Sequence, residues 1–391
     1  ILQNVIKQLL SFLPIIVLLA GAVLPVLIIM IWVFFRDKLR EPKSVVLLTM
    51  LFGALATIPI VIIEFPLSLL FGVGIDSQIH TLWQAVGISF VVAAFVEESF
   101  KFGVLRLYSA RHSAFNEPFD GIVYGIAASL GFALVENIMY VFGSMYEGGF
   151  AGGFFVAITR ALFAVPMHAA CGVIMGACIG LSRFGGGVKW TFSGIVLAIV
   201  IHGTYDTFLF SMEVPEIAED SFWIAVLFLG VICTTLLSVG VSLLIISRFR
   251  SDGKSIEIRR HVTVQEVAIA TPELVSVKVQ TVESIQKVQR GLPKLPIISL
   301  VVSMIAVALP IATMLIAILS VGFAGNANEF MDIVIGICIL ATFLLCVALF
   351  LLSVITICVE PRWRAASILS LLVAVLVFLL EITILISGAN Y

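Results

Sequence analysis

Ten runs of about 20 or more mostly apolar residues follow one another along the chain, each long enough to carry a helix across the hydrocarbon core of a bilayer. They fall at residues 9–35, 45–72, 82–105, 119–142, 154–182, 190–211, 221–247, 295–320, 331–358 and 365–388. In lipid every backbone polar group must be satisfied within the chain, so runs of this kind are expected to be helical. A soluble core has no use for a sequence that is 61% hydrophobic and only 12% charged. The expected fold class is therefore an all-α polytopic membrane protein of about ten transmembrane helices.

Loop charge alternates. Arg36, Lys38, Arg40 and Lys43 follow the first run, Arg106 and Arg111 the third, Arg183 and Lys189 the fifth, and Arg362 and Arg364 the ninth. The long loop at 248–294 is also basic at its start, whereas the even-numbered loops carry no Lys or Arg. By the positive-inside rule both termini are expected outside and the long loop in the cytoplasm. The expected location is a multi-pass position in a bacterial or archaeal cytoplasmic membrane, with the bilayer as a partner and no nucleic acid. The six cysteines lie in or beside apolar runs as small hydrophobes, and no disulfide framework is expected. The first residue is Ile1, and nothing in the chain resembles a cleavable signal peptide.

The expected organisation is N-terminal membrane helices at 1–81, a four-helix core at 82–212, a seventh span at 213–247, the loop at 248–294 and a three-helix C-terminal region at 295–391. Within the loop, SIEIRRHVTVQEVAIA and ELVSVKVQTV alternate apolar and polar residues around Thr271-Pro272, which predicts a small β-hairpin insertion. Arg248, Arg250, Lys254, Arg259 and Arg260 read as a topology anchor against anionic lipid.

Ionisable groups at membrane depth are the chemically informative exceptions, since each charged form costs about 2.5–3.5 kcal/mol even on lenient insertion scales. Glu97 and Lys101 are four apart and Glu98 and Lys101 three apart in the third run, so the lysine reaches both carboxylates from one side of a helix. The fourth run places Phe132, Glu136 and Asn137 together, behind a small-residue face of Gly121, Gly125 and Ser129. The fifth carries Arg160, Pro166 and His168 ahead of the stripe Gly172, Gly176, Gly180. Pro166 frees the carbonyl near Leu162, and Arg160 is placed to snorkel to the interface. In the sixth, His202 and Asp206 share a face, so the acid can fix the imidazole tautomer. Glu64 and Glu381 stand alone in their runs.

These motifs, Glu97-Glu98-x-x-Lys101, Phe132-x-x-x-Glu136-Asn137, RALFAVPMH from Arg160 to His168 and His202-x-x-x-Asp206, resemble those of the PrsW family of intramembrane proteases. That family is related to the CAAX-prenyl-protease and bacteriocin-processing group. The resemblance covers about residues 80–212. It implies hydrolysis of a peptide bond in a membrane-anchored protein, with transmembrane anti-sigma factors as one substrate class. It further implies that Glu97 and Glu98 activate water and that His202 is essential. The wider group usually has a histidine in the second motif where this chain has Glu136.

Amide hydrolysis needs an activated water, an oxyanion partner and a proton donor for the leaving amine. On the residues alone, Glu97 is the expected base, Glu98 and Lys101 set its proton affinity, and His202 held by Asp206 faces the tetrahedral oxygen. Glu136 and His168 would hold water or the scissile carbonyl, with Asn137 and Arg160 in support. Glu98, Glu136, His168 and His202 also make a zinc-compatible set of two histidines and two carboxylates. The resemblance favours a mechanism that needs no metal. A proton- or ion-coupled transporter and a catalytically silent membrane scaffold are the alternatives that the buried charges leave open.

Overall fold

The structure, a computed structural model, describes residues 2–74 and 78–266. The three runs expected at 295–388, the C-terminal region and the second hairpin strand lie outside the described residues. Those described residues form helices α1 (Leu2–Arg36), α2 (Lys43–Leu70), α3 (Leu82–Gly87), α4 (Phe95–Leu107), α5 (Pro118–Thr159), α6 (Val165–Leu181), α7 (Val188–Ser211), α8 (Pro215–Ala218) and α9 (Ser221–Glu266). A π-helical turn, Ile88–Ala94, joins α3 to α4, and another, Arg160–Ala164, joins α5 to α6.

Among the described residues, five helical stretches are long and apolar enough to cross a membrane: Phe12–Arg36, Lys43–Leu70, Pro118–Gly185, Val188–Ser211 and Ser221–Phe249. The third has 68 residues, which at 1.5 Å per residue is roughly 100 Å and far exceeds one bilayer. It breaks at Gly149, whose φ of 65° lies in the left-handed region that a residue without Cβ enters freely. Across that break α5 and α6 pack with residue 121 against 176, 125 against 172 and 118 against 180. The pairing is antiparallel and centres the reversal on 148–149, so the stretch is a helical hairpin that holds the fourth and fifth expected runs.

Close approach explains the glycines at this interface. A Cβ built on Gly121 would lie 2.2 Å from the Gly176 carbonyl oxygen, and one on Gly180 2.3 Å from that of Pro118. A second close crossing joins α2 to α5, where Gly53 meets the Ala128 backbone and Gly131 that of Met50. Between α2, α4 and α5 an apolar cluster of Ala56, Ile60, Val96 and Phe132 fills the space next to the buried charges.

Local signals set the helix ends. Thr81 accepts from the Gln84 amide at 3.2 Å while the Gln84 side chain accepts from the Thr81 amide at 3.1 Å, a capping box that starts α3. Pro118 occupies the first turn of α5, where its missing N–H leaves no orphan.

The chain divides into two compact units, Ile1–Ser211 with Val231–Arg250, and Met212–Gly230 with Ser251–Tyr391. The buried ionisable cluster belongs to the first.

The long loop departs from expectation. Residues 255–266, read from the alternation as most of a strand, continue the helix of α9 as far as Glu266. Extending an existing helix needs no new nucleus, whereas an isolated two-stranded hairpin is marginal in water.

Candidate active site

Four helices converge on one cluster: α4 brings Glu97, Glu98 and Lys101, α5 brings Phe132, Glu136 and Asn137, α6 brings His168, and α7 brings His202 and Asp206. Lys101 lies at the centre with no exposure. Its ammonium donates to Glu97 Oε2 at 2.9 Å and Glu98 Oε1 at 2.8 Å, and meets His168 Nδ1 at 3.1 Å. The Phe132 ring covers its fourth side, 4.1 Å from Nζ to the centroid.

Hydrogen positions on the two imidazoles follow from what faces them. His168 Nε2 lies 2.8 Å from Glu136 Oε2 while Nδ1 accepts from Lys101, so the ring is neutral with its hydrogen on Nε2. His202 differs, with Nδ1 2.8 Å from Glu98 Oε1 and Nε2 3.1 Å from Asp206 Oδ2. A nitrogen that faces a carboxylate oxygen shares a hydrogen with it, so this ring and its two acids hold one proton more than a neutral imidazole supplies. The rings cross edge to face with centroids 5.0 Å apart. His202 Nε2 lies 3.8 Å from Glu97 Oε2, beyond hydrogen-bond reach.

The π-helical turns precede the reactive residues of α4 and α6. In the second, Pro166 withdraws the amide that would have closed the regular turn, and the helix widens over Arg160–Ala164. Gly203, next to His202, lets the Phe90 ring of the first π turn approach, since a Cβ there would lie 2.5 Å from it.

Every site residue expected in the four motifs belongs to this neighbourhood, with two changes of role. Arg160 does not snorkel to an interface. It pairs with Glu136 Oε2 at 2.8 Å and donates to Asn137 Oδ1 at 2.7 Å, because a buried carboxylate offers it more than headgroup water would. Asn137 in turn donates to the Ala22 carbonyl at 3.1 Å and ties α1 to the site.

Glu136 is not one of the mutually adjacent donors. The group whose ligand atoms all lie within 4.8 Å of one another is Glu97, Glu98, His168 and His202, and Glu136 holds the far nitrogen of His168. Glu64 was missed as a neighbour of the site. Its Oε1 is buried without a hydrogen-bond partner, and the charges acting on it are those of Glu97, Glu136, Lys101 and His202. A single acid in α2 carries no local signal of such a contact, which depends on how α2 packs against α4 and α5.

Acid, imidazole and ammonium groups in mutual contact inside an apolar helical bundle are the groups an intramembrane enzyme needs, and a proton-coupled transporter could use them as well. Comparison with known proteins narrows the choice. A family model described as PrsW family intramembrane metalloprotease matches residues 41–238, and the chain belongs to that family. It is 33% identical over 200 residues to Protease PrsW of Bacillus subtilis (strain 168), covering 50% of this chain and 84% of the relative. It is 34% identical over 201 residues to Protease PrsW of Geobacillus kaustophilus (strain HTA426), covering 50% and 81%. No solved structure shows a significant match. The protein is a membrane peptidase.

The family description implies a metal, and two histidines with two carboxylates are the right donor types for zinc. The arrangement nevertheless does not fit an ion as it stands. Lys101 Nζ contacts three of the four donors at 2.8–3.1 Å and so takes the central position itself. The fourth, His202, has both nitrogens directed at carboxylates and no lone pair to offer. A divalent ion here would have to displace a buried ammonium.

Proposed function

We propose that the protein hydrolyses a peptide bond of a membrane-anchored protein, such as a single-span anti-sigma factor, with a water activated by Glu97. The observation that carries this reading is the desolvated Glu97–Lys101–Glu98–His202–Asp206 chain, closed by hydrogen bonds of 2.8–3.1 Å. Of the paired glutamates Glu97 has the more exposed side chain, at 8% against 0%, so it is the one a water can approach.

In the proposed reaction Glu97 takes a proton from water as the oxygen attacks the scissile carbonyl carbon. The tetrahedral oxygen develops its charge in the field of the Lys101 ammonium and of the proton that His202 shares with its two acids, charges already fixed in a water-poor site where they act most strongly. The C–N bond then breaks, and the proton held by Glu97 passes to the leaving nitrogen. Glu98 is the positioning acid, spanning Lys101 and His202. Glu136 fixes His168, and Arg160 with Asn137 fixes Glu136. The catalytic core on this reading is 82–212, in a bacterial or archaeal cytoplasmic membrane with both termini outside.

The test is cleavage of a single-span reporter by purified protein in proteoliposomes, wild type beside Glu98→Gln and His202→Ala. Both variants are expected to insert and fold while losing cleavage. Near wild-type cleavage in either one refutes the role assigned to that residue.

A further inference from the structure

A second group of acids lies at the other end of α5. Asp37 and Glu41, in the loop between α1 and α2, and Asp120, in the first turn of α5, each offer a carboxylate oxygen within 4.8 Å of the others. All three are buried, with exposures of 4%, 4% and 0%. Asp120 precedes Glu136 by 16 residues, roughly 24 Å along a helix, so this cluster is separate from the one around Lys101.

Its oxygens divide into two kinds. Asp37 Oδ1 accepts from the Leu39 amide at 3.0 Å, and Asp120 Oδ2 accepts from the amides of Asn116 and Glu117 at 2.6 and 2.7 Å. Those atoms are spent on the local backbone and hold each carboxylate in place. The remaining oxygens, Asp37 Oδ2 and Asp120 Oδ1, are buried and accept no hydrogen bond. The fully buried Tyr124 hydroxyl, one turn along α5, donates to Glu41 and supplies a further oxygen.

Buried carboxylates are normally paired with cations or hydrogen-bonded, because leaving one uncompensated is costly. The groups acting most strongly on Glu41 besides burial are Tyr124, Asp120, Asp37 and Glu117, none of them a cation, while among the described residues Arg40 is the one cation acting on Asp37, so three acids face a single positive charge.

We propose that Asp37, Glu41 and Asp120, with the Tyr124 hydroxyl beside them, bind one hard divalent cation, magnesium or calcium, which staples the α1–α2 loop to the head of α5. The donors are all oxygen, the set such ions prefer, and no imidazole or thiolate is present to favour zinc. The neighbouring loops are the Lys- and Arg-bearing ones expected in the cytoplasm, where magnesium is abundant.

The test uses the full chain purified in detergent and dialysed against EDTA, then titrated with magnesium chloride or calcium chloride by calorimetry and thermal melting. Wild type is expected to bind one equivalent with a saturable rise in Tm, and the tighter of the two ions identifies the cation. His202→Ala is expected to bind equally well, and Glu41→Gln about tenfold or more weakly. Glu41→Gln keeps an acceptor for Tyr124, so it decides the matter even where Asp120→Asn, which loses a helix cap, fails to fold. Absence of saturable binding in wild type overturns the proposal, as does binding unchanged in Glu41→Gln or lost in His202→Ala.

Discussion

Adding one methyl group at Gly176 is the sharpest way to ask whether the α5–α6 contact sets the geometry of the site. A Cβ there would lie 2.0 Å from the Gly121 carbonyl oxygen and 2.9 Å from the Ile122 Cα, both backbone atoms that no rotamer change can move aside. A relaxed carbon-to-oxygen contact is about 3.3 Å, so the helices must part by roughly 1.3 Å at this point. Overpacking of this kind costs about 1–3 kcal/mol. The displacement is carried along two stiff helices to Phe132 and Glu136 on one side and His168 on the other, where Glu136 and His168 meet at 2.8 Å. Misplacing a reacting constellation by about 1 Å can cost on the order of 10²-fold in rate. Gly176→Ala should therefore lose about two orders of magnitude in reporter cleavage and several degrees of Tm. Gly103→Ala, where an added Cβ meets nothing within 4 Å, is the matched control. It should cleave normally and melt no lower than wild type, since Gly→Ala in a helix stabilises by about 0.4–1 kcal/mol where there is room. Wild-type cleavage and melting in Gly176→Ala would refute the idea that this contact holds the site.

Other variants probe the charge network. Lys101→Met strips Glu97 and Glu98 of their shared cation, so cleavage should vanish and stability fall by about 3–5 kcal/mol, and an unchanged Tm would contradict the central place given to the lysine. Glu136→Gln leaves Arg160 without its ion pair and weakens the hold on His168, and should lower Tm and cleavage together; loss of cleavage alone would mean that Glu136 acts on substrate. Glu64→Gln removes a carboxylate whose buried oxygen has no partner and whose neighbours include two other acids, so Tm should hold or rise, and a fall of several degrees would show that the acid is paired.

Much of this was legible in the sequence because it is local to one helix. Three- and four-residue spacing put Lys101 against Glu97 and Glu98, and His202 against Asp206, and all three contacts are present. Pro166 and the glycine stripe marked the widened turn and the close crossing for the same reason, since each needs only helical periodicity to be read. What stayed hidden depends on pairing between helices. Nothing near Arg160 in sequence says that Glu136, 24 residues away, will hold it inside the bundle. Glu64 looked solitary because its neighbours are on other helices. Asp37 and Glu41 sit among Arg36, Lys38, Arg40 and Lys43, so the loop counted only as a positive one for orientation, and its acids showed their burial only once α5 brought Asp120 and Tyr124 against them. The alternation at 255–266 misled because periodicity cannot weigh a marginal hairpin against the extension of a helix already formed.

The most direct test of the central claim, that Glu97 activates water beside a lysine rather than a metal, joins one preparation to two readings. Purified wild type and Glu97→Gln are dialysed against a strong chelator, analysed for zinc and other transition metals, and assayed for reporter cleavage before and after. The account predicts that wild type cleaves equally well in both states with zinc and other transition metals well below stoichiometric, and that folded Glu97→Gln does not cleave. Stoichiometric zinc that is lost in His168→Ala, with cleavage abolished by the chelator and restored by added zinc, would contradict it.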